Sequence, residues 1–306
     1  MAPIRNLDDL VKDLQGQPSR RIAVAAGHDR DTIQAAARAA HEDIAVVTLV
    51  GDGSRIQALC AEFNIDPAVF KVVDEPDTVA AGAKAVAMVR AGDADVLMKG
   101  LISTGDYMKQ ILNKEAGLLP AGNVLSHVTV LDLPAYQQSH GKLLFVGDVA
   151  ILPAPDLATK VQILGYCVQA AQSFGVDTPR AAILAATEKV SPRMQATVDA
   201  AEIKAMAERG EISGCVVDGP LSLDLALSPS ACETKGFKSP VGGQADVLVF
   251  PNIEAGNVFY KSSTVLSGGR LAAAVVGTTA PCILTSRADS EESKFLSIAM
   301  GCRLAR

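Results

Sequence analysis

"RIAVAAGHDRDTIQAAARAAHEDIAVVTLV", Arg21 to Val50, holds one full turn of the pattern on which the fold rests. "RIAVAA" (Arg21–Ala26) reads as a buried strand. "RDTIQAAARAAH" (Arg30–His41) is rich in strong helix formers. "IAVVTLV" (Ile44–Val50) is the next strand. The alternation continues outward through a helix at "SRIQALCAEF", a strand at "VFKVVD", a helix at "TVAAGAKAVAMVRAG", a strand at "DVLMKG" (Asp95–Gly100) and a helix at "STGDYMKQILN". This βαβα rhythm predicts an α/β fold: an open, mostly parallel sheet with helices on both faces.

The rhythm breaks at "GDVAILPAPD" (Gly147–Asp156), where two closely spaced prolines interrupt any regular element. A domain boundary is expected near Asp148–Pro155. Beyond it the pattern restarts with a helix over Leu157–Phe174, a strand at "AAILAA", a helix over Pro192–Arg209 and a strand at "GCVVDG". An irregular polar stretch then runs through Lys238. It leads to a strand at "DVLVF", a helix over Asn252–Leu266, an apolar run (Leu271–Val276), a strand at "PCILT" and a C-terminal helix.

The chain has 306 residues, 49% hydrophobic and 20% charged, which suits one large or two modest domains with real cores. Aromatics are only 4% and Trp is absent, so the core must be aliphatic. A net charge of −6 with no basic stripe disfavours nucleic-acid binding. No apolar run approaches a membrane span, and the N-terminal stretch lacks a signal-peptide apolar core. The six cysteines form no Cys-x-x-Cys pair and mostly lie in apolar runs, which predicts reduced thiols in a cytoplasmic protein. The four histidines show no zinc-binding spacing, and no Gly-x-Ser-x-Gly elbow occurs, so a zinc site and a serine hydrolase of the usual kind are both disfavoured. His127 reads as a structural histidine.

Three stretches concentrate chemistry. In "MKGLISTGDYMKQ" (Met98–Gln110), Lys99 ends a strand and Ser103-Thr104 stand at a helix start. Ligands of open α/β sheets bind outside the carboxyl ends of strands, and helix N-termini there present N–H groups to anions. Thr104 is also an ordinary N-cap candidate. In "SPVGGQADVLVFPNIEAGNVFYKSS" (Ser239–Ser263), Gly256 lies inside a predicted helix, at a cost of about 1 kcal/mol relative to Ala. Glu254, Asn257 and Lys261 share one face of that helix. Close approach of another chain or a ligand would justify the Gly-Asn pair, so a functional face is expected. In "CILTSRADSEESKF" (Cys282–Phe295), Ser286-Arg287 follow a strand, and an arginine there suits a phosphoryl group. Asp289 and Glu292 have capping-box spacing, with Ser290 as a rival cap. "GDGSRI" (Gly51–Ile56) is only a partial dinucleotide fingerprint and reads as a tight turn.

"MKGLIST" (Met98–Thr104), "DGPLSLDLA" (Asp218–Ala226), "GGQADVLVFPNIEAGNVFYK" (Gly242–Lys261) and "LTSRADS" (Leu284–Ser290) together resemble the phosphate acetyl/butyryltransferase family, and the wording is more similar to its butyryl branch. The resemblance implies two α/β/α domains around a cleft, as in isocitrate and isopropylmalate dehydrogenases. The second domain (151–273) would be inserted into the first (1–150 with 274–306). It implies a homodimer or larger homo-oligomer, and the reaction acyl-CoA + phosphate ⇌ acyl phosphate + coenzyme A. Coenzyme A would be a substrate, with no cofactor, metal or covalent acyl-enzyme.

Carried onto this chain, the resemblance gives Arg287 the phosphoryl group and Ser286 a hydrogen bond to the reacting centre. Lys99, Ser103 and Thr104 would line the phosphate side, and Asn257 and Lys261 the cleft wall. At the spacing of the family's proposed carboxylate the chain offers Glu292 and then Ser293, while Asp289 is nearer the arginine, so the base is left between Glu292 and Asp289. Lys109 is the nearest counterpart of a basic residue that follows the Ser-Thr pair in the acetyl branch. Phosphate acetyl transfer, a dehydrogenase on the same fold, and a non-catalytic binding protein are the alternative readings.

Overall fold

The computed structural model describes residues 2–285 and 289–305. The chain divides into two compact units. One comprises residues 7–125 and the described residues from 271 onward. The other comprises residues 126–270 with the segment up to Asn6. The break at Gly147–Asp156, where a boundary is expected, lies inside the second of these.

The first unit opens with α1 (Leu7–Gln15), β1 (Arg20–Ala25), α2 (Arg30–His41), β2 (Ala45–Gly51), α3 (Gly53–Glu62), β3 (Phe70–Asp74), α4 (Thr78–Ala91), β4 (Val96–Lys99) and α5 (Thr104–Ile111). The second contains β5 (Ser126–Asp132), α6 (Pro134–His140), β6 (Leu144–Gly147), α7 (Leu157–Ser173), β7 (Arg180–Leu184), α8 (Gln195–Glu208), β8 (Val216–Leu221), α9 (Leu223–Leu227), α10 (Pro229–Lys235), β9 (Val247–Val249) and α11 (Ile253–Val265). The chain then adds β10 (Arg270–Val276), β11 (Cys282–Ile283) and α12 (Glu291–Leu304) to the first unit.

Strand order in the first unit is β3-β2-β1-β4-β11-β10. All neighbours are parallel except β10 and β11, whose short connection permits only an antiparallel pair. In the second unit β7 pairs parallel with β8 and β9, β9 with β6, and β5 runs antiparallel to β6. The apolar runs of β1 and β4 are buried on both faces, as helix-covered parallel strands require.

The packing of the first unit is alanine-based. α2 buries Ile33 with Ala35, Ala36, Ala37 and Ala39, and these small side chains admit α12 at close range. α12 buries every residue from Lys294 to Arg303, because α1, α2 and the sheet enclose it. Gly301 lets it lie on the strands: a Cβ there would come within 3.1 Å of Ile283 Cδ1 and Val96 Cγ1. Arg38 stacks 3.8 Å over the Phe295 ring, and Arg303 pairs with Asp13 at 2.8 Å. Each fully buried large aliphatic or aromatic side chain on this helix contributes about 1.5–3 kcal/mol.

In the second unit the irregular segment after β6 is tied down by one carboxylate. Asp148 is 2% exposed and accepts from Ser126 Oγ (2.9 Å), His127 N (2.9 Å), Ala150 N (2.7 Å) and Ile151 N (2.8 Å). These bonds replace the strand ladder that the following prolines forbid. The polar stretch up to Lys238, expected to be irregular, contains α9 and α10, with Ser228 capping the latter at Ala231 N. Five- and seven-residue helices are too short for hydrophobic periodicity to show.

Candidate functional site

The first unit's sheet has a switch point. The chain leaves β1 for β2 on one side and reaches β4 on the other. Ligand crevices of such sheets open outside the carboxyl ends of the strands at that point. A cavity of about 160 Å³ lies there, lined by Asp29 and Thr32 after β1, Lys99, Gly100 and Leu101 at the end of β4, and Thr285 and Lys294 after β11. It holds roughly five water volumes at about 30 Å³ each. That is the scale of a five-atom oxyanion, and well below the roughly 300–1,000 Å³ of sites that enclose whole cofactors.

The backbone brings these groups together. Ala26, at φ 55°, turns the chain out of β1. Gly100 N donates to Ala25 O (2.9 Å) and Leu101 N to Ala26 O (2.8 Å), so the chain leaving β4 folds across the end of β1. A Cβ on Gly100 would stand 2.3 Å from Ala26 O, which explains the glycine after Lys99. Beneath them, the buried Tyr107 hydroxyl of α5 donates to Ile283 O (3.2 Å) and Leu97 O (3.4 Å), tying β11 to β4. Burial pushes its phenol pKa well up, so it remains a neutral donor.

Two buried lysines are among the lining residues. Lys99 is 4% exposed and its ammonium donates to Gly100 O (3.1 Å). Lys294 is 3% exposed and pairs with Asp31 Oδ2 at 3.2 Å. Asp31 and Asp29 are both partly exposed, so water screens the carboxylates more than the ammonium groups. The N-terminus of α2 points the same way: Asp29 is its N-cap and makes no side-chain cap hydrogen bond. Thr32 Oγ1 is buried with no hydrogen-bond partner among the described residues.

The "GDGSRI" turn behaves differently. Asp52 accepts from Arg55 N (3.0 Å) and Asp74 from Gly53 N (2.9 Å), so the first turn of α3 is satisfied by its own chain, as a structural turn. His28 accepts from Asp52 N (3.1 Å), and burial followed by the Arg55 charge lowers its pKa. All six cysteines are free thiols. Burial raises the thiol pKa at Cys60, Cys167, Cys215, Cys232 and Cys282, to about 12 for Cys282, so these five are poor nucleophiles.

Of the residues expected from sequence, the cavity gathers Lys99. Ser286 and Arg287 lie outside the described residues. Ser103, not Thr104, is the N-cap of α5: it accepts from Asp106 N (3.1 Å) and donates to Asp106 Oδ2 (2.7 Å), while Thr104 is exposed. Lys109 pairs with Asp106 at 3.1 Å on the exposed face of the same helix. Ser290, not Asp289, caps α12, accepting from Ser293 N (3.2 Å). Glu292 is exposed in the first turn and Asp289 is half-buried just before the cap.

Asn257 and Lys261 belong to the other unit. There the expectation that another chain or a ligand explains the Gly-Asn pair is corrected. A Cβ on Gly256 would stand 2.5 Å from Asp148 O, and Asn257 Nδ2 donates to Val149 O (2.9 Å). The close approach is made by this chain's own segment after β6. Lys261 is exposed, its ammonium 5.7 Å from the Tyr260 ring. The same unit carries a larger groove of about 980 Å³, walled by Pro155, Leu157, Val190 and Pro251. The Lys160–Asp199 pair among its lining residues (2.6 Å) is 5% and 7% exposed, and Gln195 donates to the second carboxylate oxygen (2.8 Å).

Thr32, Thr285 and Lys294 are cavity residues that sequence reasoning passed over. Only Lys294 leaves a trace: it opens the otherwise apolar stretch "KFLSIAMGC". Among the described residues no cluster of His, Cys, Asp and Glu could hold a metal, and no helix is long and apolar enough to cross a membrane.

A mostly parallel α/β sheet carries, at its switch point, a small cavity with two buried lysines among its lining residues. The family model described as "Phosphate acetyl/butaryl transferase" matches residues 6–84 and 77–302. The phosphate butyryltransferase of Clostridium acetobutylicum is 39% identical over 302 residues, 99% of each chain. The phosphate acetyltransferase of Thermotoga maritima is 38% identical over 98% of this chain and 99% of its own. A branched-chain phosphotransacylase from Enterococcus faecalis V583 superposes with a TM-score of 0.81 at 34% identity, covering 94% of this chain and 99% of that one. The 4-hydroxythreonine-4-phosphate dehydrogenase of Klebsiella pneumoniae shares the fold at a TM-score of 0.54 and 15% identity, over 94% of this chain and all of its own. The chain belongs to the phosphate acetyl/butyryl transferase family of acyltransferases.

Proposed function

We propose that the chain interconverts a short-chain acyl-CoA and phosphate with acyl phosphate and coenzyme A, with butyryl-CoA as the preferred donor and no cofactor. The observation that carries this is the enclosed pair of ammonium groups, Lys99 and Lys294, in an oxyanion-sized cavity at the switch point.

In the direction of thioester synthesis, the coenzyme A sulfur attacks the acyl carbonyl carbon, the bond from carbon to the phosphate oxygen breaks, and phosphate leaves with the electron pair. A free thiol has a pKa of about 8.5, so the attack needs a proton acceptor at neutral pH. That acceptor is Glu292 or Asp289. Lys99 and Arg287 neutralise the phosphate, and Ser286 hydrogen-bonds the reacting carbonyl. In the reverse direction a phosphate oxygen attacks the thioester and the thiolate leaves. The raised thiol pKa values speak for direct transfer between the two substrates rather than through a cysteine.

The test is phosphate-dependent loss of the butyryl-CoA thioester, followed with a thiol reagent. Thioester loss that does not depend on phosphate overturns the reading. Specificity constants for acetyl-, propionyl-, butyryl- and branched acyl-CoA assign the acyl chain. Arg287→Ala raises the KM for phosphate sharply. Asp289→Asn and Glu292→Gln, compared across pH, assign the base.

A further inference from the structure

The one buried side-chain hydroxyl left without a partner among the described residues is Thr32 Oγ1, and it lines the oxyanion-sized cavity. Thr32 is 1% exposed, so the hydroxyl is closed off from bulk solvent. Buried polar groups in native folds are almost always paired, by protein, water or ligand. The hydroxyl sits in the first turn of the twelve-residue helix α2, where Asp29 leaves the cap without a side-chain bond. Unfilled first-turn N–H groups and the helix dipole both favour an anion at this place. Lys99 and Lys294, each more than nine-tenths buried, bring positive charge to the same cavity from two other elements.

We propose that Thr32 donates its hydroxyl hydrogen to an oxygen of the transferred phosphate, so that the first turn of α2, with Lys99 and Lys294, is the phosphate subsite. This rests on the acyltransferase reading for the identity of the anion. The chemistry is that of a tetrahedral oxyanion, and both free phosphate and the phosphate groups of coenzyme A offer it. The cavity, at about 160 Å³, suits the free ion.

The experiment uses the full chain with Thr32→Val, which keeps the shape and removes the hydroxyl, and Thr32→Ser, which keeps the hydroxyl. Inorganic phosphate binding is measured by calorimetry without acyl-CoA, and KM values for phosphate and butyryl-CoA are measured separately. The expected result is that Thr32→Val weakens phosphate binding and raises its KM by about tenfold, the worth of one hydrogen bond to a charged group. The butyryl-CoA KM stays within about twofold, Thr32→Ser restores most of the phosphate affinity, and the melting temperature of Thr32→Val is unchanged or higher. Unchanged phosphate binding in Thr32→Val, absence of phosphate binding in the unaltered protein, or a rise in the butyryl-CoA KM instead each overturns the proposal. If phosphate binding falls in Thr32→Val but the unaltered protein transfers no acyl group, the subsite stands and the acyltransferase reading fails.

Discussion

Replacing Gly100 with Ala tests the geometry that brings the cavity together. The added Cβ would lie 2.3 Å from Ala26 O and 2.9 Å from Ala25 O, both backbone atoms of a buried strand end. The crossing must open by at least about 0.7 Å to bring the nearer contact to 3.0 Å, which real Cβ atoms essentially never go below. That shift strains or breaks the bonds from Gly100 N to Ala25 O and from Leu101 N to Ala26 O. Overpacking costs about 1–3 kcal/mol, and each of the two weakened hydrogen bonds about 1 kcal/mol, for a total of about 3–5 kcal/mol. At about 2–4 °C per kcal/mol for a chain of this scale, the melting temperature falls by about 6–20 °C. Lys99 and Leu101 move with the crossing, so the KM for phosphate rises as well. Gly165→Ala is the matched control: a Cβ there meets nothing within 4 Å, in the middle of α7, and stabilises by about 0.5–1 kcal/mol. Calorimetric melting and phosphate kinetics read both variants. A Gly100→Ala protein that melts within a degree of the parent, with the same phosphate KM, refutes the crossing as the reason for the glycine.

Three further outcomes are expected. His28 has its pKa lowered by burial and by Arg55, so above about pH 6.5 it is neutral in both folded and unfolded chains and stability is full. As pH falls below that value, the unfolded chain takes up a proton the folded chain resists, and stability declines until the folded pKa is passed; urea midpoints at pH 7.5 and 5.5 should fall more for the parent than for His28→Gln. Lys160→Met leaves Asp199 buried without its cation and lowers the unfolding free energy by about 3–5 kcal/mol, read by denaturant titration; a loss under about 1 kcal/mol contradicts it. Asn257→Ala loses the bond to Val149 O and about 1 kcal/mol of stability, with the KM for phosphate intact. A kinetic defect at full stability would return Asn257 to the substrate.

The alternation that begins at Arg21 was readable because each βα unit is long enough for two periods to register, and the aliphatic composition agrees with strands buried on both faces. Lys99-Gly100 was readable as a strand end, and the structure supplies the reason for the glycine. Thr32 and Lys294 were not, because their roles depend on three strand ends meeting. In sequence they are a polar residue in an alanine-rich helix and a lysine before an apolar run. Gly256-Asn257 misled for a related reason. A glycine inside a helix announces close approach of something, and the residues that approach, Asp148 and Val149, lie over a hundred positions away. At the start of α12 two candidate caps, Asp289 and Ser290, stand side by side, and only the backbone decides that Ser290 takes the position.

β11 pairs with β4, yet about 180 residues separate Lys99 from Cys282. During synthesis at about 5–20 residues per second, β4 therefore waits roughly 10–40 s with an open edge. An unpaired edge invites association with other chains. Residues 126–270 of the second unit are made within that interval, so they have time to fold while the first unit still lacks its inner strand and α12. Protease sensitivity of ribosome-bound chains halted before and after Cys282 would measure the delay; equal protection of residues 7–125 in both would show that it does not exist. Thr285 and Lys294 line the cavity at the end of β4, so that cavity is enclosed only once almost all of the chain has been made.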